Sequence, residues 1–254
     1  DKKNIDIDIE VDGGINLENK EILKEAGANI IVAGSSVLGK PDIAKAIKES
    51  GAEGIIEFTH PDSVENNINA LLPLGIPLVV GTTGWLSKLE KVTALTKETN
   101  SNLFYAANYS IGVNLFYKIV AEASKLISDF DEYDCAIWEA HHNTKADSPS
   151  GTALKIADYV LENMKSKTEL VNGNFPCKPE KHQLQIGSTR VGSVPGTHTV
   201  YYDSVADTIE LTHTARSREG FALGAVRACE WLVAGLKAGN LSKGNVYTMS
   251  DLLV

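Results

Sequence analysis

Positive charge, cysteine and long apolar runs are all scarce in this sequence of 254 residues. It has 24 Lys and Arg against 33 Asp and Glu, a net charge of -9. Because nucleic-acid binding needs a basic face, we expect no nucleic-acid partner. The three cysteines are too few and too scattered for a disulfide framework or a zinc site. No apolar run approaches the roughly 20 residues of a membrane helix, and the first residues are polar. We therefore expect no membrane partner, no signal peptide and a cytoplasmic location.

The composition that remains is typical of a folded, acidic protein. Its hydrophobic fraction is 43% and its charged residues are spread along the chain, which excludes wholesale disorder. The length suits one or two domains. An anionic ligand would need a site that gathers positive groups against the overall negative charge.

Strand and helix patterns alternate through the first half of the chain. Apolar runs predict strands at 5–11, 30–33, 55–58, 77–80 and 103–106. Amphipathic stretches between and after them predict helices at 16–26, 41–50, 63–72, 87–96 and 111–127. Strands separated by helices indicate a parallel, Rossmann-like α/β sheet.

The pattern changes after about residue 133. Strands are predicted at 133–140, 183–186, 198–202 and 208–212, and helices at 152–164 and 221–237. Residues 166–180 contain Asn-Gly and two prolines, which predicts an exposed loop. This half indicates an α+β domain with an antiparallel sheet, and the tail 240–254 is expected to return to the first domain.

Chemically active side chains are densest between residues 139 and 153, where a strand ends and a helix begins. His141, His142 and Lys145 concentrate proton donors, since histidine titrates near neutral pH and a lysine that is partly desolvated near other cations can serve as an acid. Gly151 and Thr152 open the helix, whose free N–H groups and dipole favour a carboxylate or phosphate. Proton donors beside an anion cradle indicate an enzyme site.

Plainer interpretations of this stretch stay open. The His-His pair would suit a metal, but neighbouring strand residues point to opposite faces and no cysteine lies nearby, so we expect no metal site. Ser-Gly-Thr before a helix is often only a cap, and the whole stretch would also suit a solvated loop.

Two glycine- or alanine-rich segments follow consecutive predicted strands, at Gly81-Thr82-Thr83-Gly84 and at Ala106-Ala107-Asn108-Tyr109. Ligands of doubly wound sheets bind beyond the carboxyl ends of strands, so both are candidate ligand segments or plain turns. Arg190, Arg216 and Arg218, near His198, suit carboxylate binding as a group, whereas any single one is interpreted as surface charge.

Residues 139–153, Glu-Ala-His-His-Asn-Thr-Lys-Ala-Asp-Ser-Pro-Ser-Gly-Thr-Ala, resemble the signature of the 4-hydroxy-tetrahydrodipicolinate (dihydrodipicolinate) reductase family. Further segments resemble that family in its own order, over about residues 51–254: they lie at 56–61, 80–84, 107–114 and 213–225. The resemblance implies a reductase of the lysine and diaminopimelate pathway that uses NADH or NADPH. Its substrate would be a small, anionic, cyclic dicarboxylate.

The resemblance also implies residue roles. His141 and Lys145 match the family's proton-donor pair, and His142, Gly151 and Thr152 match its substrate contacts. The segments beside the nicotinamide are matched by Gly81, Thr82, Thr83, Ala106, Ala107, Asn108 and Tyr109. The implied domains are a cofactor domain over 51–107 and a domain at 108–239 for substrate binding and for assembly into a homotetramer.

The first 50 residues depart from the family. They lack the Gly-x-x-Gly-x-x-Gly loop that seats the cofactor pyrophosphate. Instead, Glu10 to Asn16 and Val32 to Gly39 resemble the last two strands of ribulose-phosphate 3-epimerase, a TIM barrel. We therefore predict a chimera in which this βαβα segment completes or replaces the start of the cofactor domain. Two alternatives to a working reductase follow: a non-catalytic chimera that keeps only dicarboxylate binding and assembly, and, less expected, an epimerase acting through Asp12.

Overall fold

The computed structural model describes residues 9–12, 14–16, 18–28, 30–32, 37, 42–217 and 219–254. The chain divides into two compact units. The first unit comprises Asp1–Ala107 and Arg227–Leu252, and the second comprises Asn108–Val226 and Leu253–Val254. No helix in the described ranges combines the length and the apolar character that crossing a membrane requires.

A parallel four-stranded sheet forms the centre of the first unit, which confirms the predicted Rossmann-like architecture. Its strands are β3 (Ile55–Glu57), β4 (Leu78–Val80), β5 (Asn102–Tyr105) and β11 (Asn245–Tyr247), in the order β11-β5-β4-β3. The helices are α2 (Ile43–Ser50), α3 (Pro61–Leu71), α4 (Leu89–Glu98) and α8 (Met249–Leu252), with 3-10 turns at Leu72–Leu74 and Leu86–Lys88. Strand β4 is apolar and buried throughout, as a central parallel strand requires.

The hypothesis that the first strands extend this sheet is not met. β1 (Glu10–Asp12) and β2 (Ile30–Val32), separated by α1 (Lys20–Glu25), pair in parallel with each other. In the described part of the chain they form a separate two-stranded sheet. The physical reason lies in residues 5–12, which alternate apolar and acidic side chains, whereas a strand covered on both faces needs a nearly continuous apolar run. Within and just after these two predicted strands, residues 5–8, 13 and 33–36 lie outside the described residues.

The second unit is a five-stranded sheet with helices. Its strands are β6 (Asp134–His141), β7 (Glu169–Asn172), β8 (Gln183–Arg190), β9 (Thr197–Asp203) and β10 (Thr208–Thr214), in the order β10-β9-β6-β8-β7. Its helices are α5 (Ile111–Ile127), α6 (Gly151–Asn163) and the first part of α7 (Glu219–Lys237), which continues into the first unit.

Two predictions for the second unit are wrong: the purely antiparallel sheet and the loop at 166–180. β9 runs antiparallel to β6 and β10, but β6 and β7 both run parallel to β8, so the sheet is mixed. The predicted loop at 166–180 contains β7, whose backbone finds hydrogen-bond partners on β8. The helix α6 connects β6 to β7 as a crossover, so these two strands run in the same direction. Residues 173–182 then return the chain without a helix, and β8 lies between β6 and β7 in that same direction.

A row of polar residues crosses the sheet of the second unit at one level. Glu139 on β6 is paired in register with Ser188 on β8 and with His198 on β9, and His198 is paired with His213 on β10. Glu139 shares its face of β6 with Ile137 and His141, because side chains two apart on a strand point the same way. Since Ile137 belongs to the core beneath α5 and α6, the polar row lies at the end of that core.

Candidate active site

The carboxylate of Glu139 is the centre of the polar row. Its side chain is fully buried, yet hydrogen-bond donors from three other elements reach it. The Arg190 guanidinium and the Ser188 hydroxyl each donate to Oε1 at 2.9 Å. The backbone N–H of Ser150 donates to both oxygens, at 3.1 and 3.2 Å. A buried carboxylate is stable only when it is paired and hydrogen-bonded in this way.

Two histidines share the other oxygen of this carboxylate. His141 Nε2 lies 3.3 Å and His198 Nε2 lies 3.5 Å from Glu139 Oε2, and the two Nε2 atoms are 3.3 Å apart. His198 Nε2 is also 3.1 Å from Ser150 Oγ. One carboxylate therefore joins the end of β6, strand β9 and the start of α6.

The electrostatics of the group follow from burial and these contacts. Burial alone would raise the pKa of Glu139, but hydrogen bonds led by those from His198 and Ser150 outweigh it and hold the pKa well below its usual range. Burial lowers the pKa of His141; the nearby His198, Lys145 and Arg190 lower it further, and Glu139 opposes them. The carboxylate is thus ionised and the His141 ring neutral at neutral pH.

Helix α6 begins directly after its tie to Glu139. Ser150 caps the helix, because its Oγ accepts a hydrogen bond from Ala153 N at 3.1 Å. Gly151 is exposed, and a Cβ built on it would meet nothing within 4 Å. Thr152 is half-buried, with its Oγ1 3.5 Å from Asn108 Nδ2. The space beside Gly151 is open, but the Gly151 N–H already binds the Asp147 carboxylate and the Thr152 hydroxyl contacts Tyr117. The first turn of α6 thus holds an anionic group of the chain itself, whose place another anion would take.

The loop between β6 and α6 carries the remaining predicted residues. Lys145 Nζ lies 2.7 Å from Asp147 Oδ1, and this contact is the main reason why the pKa of Asp147 is lowered. Arg190 donates to the carbonyl of Asp147 at 2.8 Å, which ties the loop to β8. His142 Nδ1 lies 2.7 Å from Thr144 Oγ1. Beside it opens a cavity of about 380 Å³, lined also by Asn143, Gly192, Ser193, Pro195 and Ser217.

In the first unit, the segment after β4 is shaped for close approach. A Cβ on Gly81 would lie 2.0 Å from Phe58 Cζ, so the Phe58 ring lies directly over this glycine. Thr82 is buried, and within the described structure its Oγ1 has no hydrogen-bond partner. Thr83 is exposed. An unsatisfied buried hydroxyl is a feature that a polar ligand group would complete, and the Phe58 ring fills the space over the neighbouring glycine.

The four predicted residues after β5 differ in their contacts and exposure. Ala106 donates its N–H to the carbonyl of Val80 at 3.4 Å, which continues the β4–β5 pairing, and Ala107 is exposed. In the second unit, Asn108 uses its side chain to accept the N–H of Ser110 at 2.9 Å. Tyr109 is 2% exposed and packs in the core; we assign it no open ligand face.

A metal ion is not needed to explain the central cluster. Among the described residues, Glu139, His141 and His198 offer ligand atoms within 4.8 Å of one another. The positive charge that balances this carboxylate already comes from Arg190. Hydrogen bonds therefore account for the grouping.

Sequence reasoning missed the residues that assemble this site. The sequence alone indicates no role for Glu139 beyond opening the motif, favours surface charge for Arg190 and gives His198 only as a nearby residue. One local signal was available: Glu139 and His141 alternate on a strand and must share a face. The positions of Arg190 and His198 depend on the register of β8 and β9, which local patterns do not fix.

Comparisons with known proteins agree over nearly the whole chain. Residues 112–253 match the family model described as "Dihydrodipicolinate reductase, C-terminus", and residues 5–109 match the model of its N-terminus. The N-terminal match runs through the first 50 residues as part of one domain. The predicted resemblance to ribulose-phosphate epimerase gains no support from it.

Relatives and a solved structure point the same way. The chain is similar to the 4-hydroxy-tetrahydrodipicolinate reductases of Christiangramia forsetii (40% identity over 78% of each chain) and Methanosarcina acetivorans (37% identity over 91% of this chain and 84% of the relative). Its fold is similar to that of the dipicolinate-bound dihydrodipicolinate reductase of Paenisporosarcina sp. TG-14. That similarity has a TM-score of 0.65 at 18% identity, and covers 95% of this chain and 98% of that one.

Proposed function

The chain belongs to the dihydrodipicolinate reductase family, and from that premise we propose how its residues serve the reaction. It is an oxidoreductase of lysine and diaminopimelate biosynthesis that converts 4-hydroxy-tetrahydrodipicolinate to tetrahydrodipicolinate. When bound, NADH or NADPH supplies the hydride. The tie between a buried histidine and a helix N-terminus through Glu139 is the observation that supports these roles best.

His141 and Lys145 hold the proton that follows the hydride into the substrate ring. His141 supports this role because its ring is neutral yet keeps Nε2 3.3 Å from a carboxylate, which steadies a proton there. Lys145 is half-buried and paired with Asp147 in the loop that follows. Both positions match the family signature residue by residue.

Gly151, Thr152 and His142 hold the dicarboxylate. The exposed first turn of α6 offers backbone N–H groups and the positive end of the helix dipole to one carboxylate. His142 lines a cavity of about 380 Å³ together with residues 143–144, 192–193, 195 and 217, a volume that suits a small ring. These groups supply the local positive potential that an anion needs on a chain of net charge -9.

Gly81, Thr82, Thr83, Ala106 and Ala107 hold the nicotinamide end of the cofactor. The unpaired hydroxyl of the buried Thr82 suits a polar substituent of the cofactor, whereas the Phe58 ring covers Gly81 and would have to move aside for a planar ring to lie there. Asn108 follows in the same chain segment and carries the same role by the family pattern. The buried Tyr109, which matches that pattern too, would support the segment from the core. Because residues 1–50 lack the glycine-rich loop, we propose that affinity for the pyrophosphate is weakened by a few kcal/mol, at about 1.5–3 for each charge-assisted hydrogen bond.

The oligomeric state and the cellular compartment follow the family expectation. We propose a homotetramer formed through the sheet of the second unit, since its edge strand β10 carries Ile209, which is 41% exposed. We place the enzyme in the cytoplasm, which suits its three free cysteines. Sedimentation velocity tests the assembly: a monomer at enzyme-assay concentrations contradicts it.

Turnover with NADH and NADPH tests the assigned roles. His141→Gln and Lys145→Ala are each expected to lower kcat by about 10²–10⁴-fold, the usual contribution of acid–base groups. Nucleotide affinity should stay nearly unchanged. His182→Gln, on an exposed histidine paired with Glu169, is the matched control. A kcat that is unchanged in His141→Gln and in Lys145→Ala would refute these roles.

A further inference from the structure

Glu139 does more in this site than balance a charge. Its two oxygens take different partners: Oε1 accepts from Arg190 and Ser188, whereas Oε2 is left to the histidines. The Ser150 N–H reaches both. Because Arg190 neutralises the carboxylate from one side, the other oxygen remains a strong acceptor for a ring N–H.

This arrangement bears on which tautomer His141 adopts. His141 Nε2 lies 3.3 Å from Glu139 Oε2 and 3.3 Å from His198 Nε2, and a charged carboxylate at that distance favours a ring proton on Nε2. The other edge of the ring lies over Gly196, where a Cβ would approach Cε1 to 2.9 Å and Nδ1 to 3.3 Å. The ring is therefore held between a carboxylate and a bare backbone.

The same carboxylate fixes the distance between the histidine and the anion cradle. Ser150 N is bound to Glu139, and Ser150 Oγ both caps α6 and lies 3.1 Å from His198 Nε2. A shift of Glu139 would thus move the start of α6 and the His141 ring relative to each other. Misplacing a catalytic group by about 1 Å costs about 10²-fold in rate.

We propose that Glu139 is a positioning residue of the reductase reaction, which fixes the ring nitrogen of His141 that bears the proton and holds that ring in register with the first turn of α6. The proposal deepens the proposed function and rests on it for the role of His141. What it asserts about the ring itself is independent of turnover.

Among the described residues, the charged and titratable groups around His141 come from several strands and one loop. Glu139 comes from β6 itself, His198 from β9, Arg190 from β8 and Lys145 from the following loop. His213, from β10, faces His198 across the row. Of these groups, Glu139 is the one that raises the pKa of His141.

The experiment is an NMR titration of the full chain without ligands, with labelled histidine rings. In Glu139→Gln the pKa of His141 is expected to fall by about 1 unit, the lower end of the effect of an opposite charge at this distance. The Nε2–H tautomer should lose its dominance. The turnover number should fall by about 10²-fold, with nucleotide affinity unchanged.

Two further variants separate positioning from mere stability. Glu139→Asp keeps the charge but retracts it by one methylene, and should shift the His141 signals in the same direction by less, with part of the turnover restored. This variant decides the question if Glu139→Gln does not fold. Glu169→Gln removes the carboxylate 3.1 Å from the exposed His182, and should leave His141 unaltered.

An unchanged His141 pKa and tautomer in either folded Glu139 variant overturns the proposal. Failure of the proposed function has a different signature: wild-type protein that shows the predicted tautomer but oxidises neither nucleotide with substrate. The two failures are therefore distinguishable.

Discussion

Replacing Arg190 with methionine tests the energetics of the buried carboxylate. The change keeps the apolar stem but removes the guanidinium, whose Nη2 lies 2.9 Å from Glu139 Oε1 and 2.8 Å from the Asp147 carbonyl. Glu139 is fully buried, and 19% of the Arg190 side chain is exposed. Breaking a buried pair costs about 3–5 kcal/mol, and the partial exposure of Arg190 places our expectation near the lower end, at about 3.

The free energy of unfolding that Arg190→Met loses should become smaller as pH falls. In the wild type the pKa of Glu139 is lowered, so its contribution to stability is complete above its unfolded value and is lost as pH falls through the folded value. Without Arg190 the carboxylate is buried with less compensation, and protonation at acidic pH relieves the cost. The difference in the free energy of unfolding between Arg190→Met and the wild type should therefore be smaller at acidic pH than at neutral pH.

Urea unfolding at neutral and at acidic pH measures both effects, followed by the fluorescence of the three tryptophans, of which Trp138 lies on β6 next to Glu139. The matched control is Lys165→Met, which removes the cation of an exposed pair with Asp129 at 2.9 Å and should leave the free energy of unfolding nearly unchanged. A loss below about 1 kcal/mol for Arg190→Met at neutral pH, or a loss that grows on acidification, would refute the reasoning.

Three further predictions concern the surroundings of this carboxylate. Gly196→Ala drives a Cβ to 2.9 Å from the His141 ring at a φ of +155°, and should lower kcat by about 10²-fold with nucleotide affinity unchanged; an unaltered kcat would contradict the packing of the ring. Ser150→Ala removes the cap of α6 and should lower the free energy of unfolding by about 1 kcal/mol, measured by urea titration, with no loss as the contrary result. Burial lowers the pKa of His141 and of His213, so their contribution to stability is complete above about 6.5, the unfolded value, and is lost as pH falls through the lower folded values. Thermal unfolding should show falling stability from neutral to mildly acidic pH, with a smaller slope in His141→Gln; identical slopes would contradict it.

Local sequence signals predict the long elements well. The helix predicted at 111–127 is observed as Ile111–Ile127, because Ser110 caps it and apolar residues recur along one face. The short strand Glu169–Asn172 was missed, since it contains no buried residue and its pairing with β8 is non-local. Element periodicity is a local property, whereas strand pairing is not.

The candidate site contains residues that the sequence groups in one segment and residues that only strand pairing brings to it. His141, Lys145 and Gly151 lie in one continuous segment, so sequence alone groups them. Arg190 and His198 reach Glu139 from other strands, through register pairs such as Glu139 with His198. Their role needs the folded sheet.

Residues 1–50 show the limit of resemblance from short segments. Glycine-ended βα units recur in many parallel folds, so a likeness to two barrel strands carries little weight beside a family match over residues 5–109. The missing Gly-x-x-Gly-x-x-Gly loop is nevertheless a fact of the sequence. It is the reason for expecting weakened cofactor binding.

Calorimetric titration of the chain with NADH and NADPH, with and without pyridine-2,6-dicarboxylate, tests the central claim most directly. A working reductase should bind at least one nucleotide, and the dicarboxylate should then bind in its presence. His141→Gln should bind the nucleotide as the wild type does. No nucleotide binding at millimolar concentration, with or without the dicarboxylate, would contradict a functional reductase.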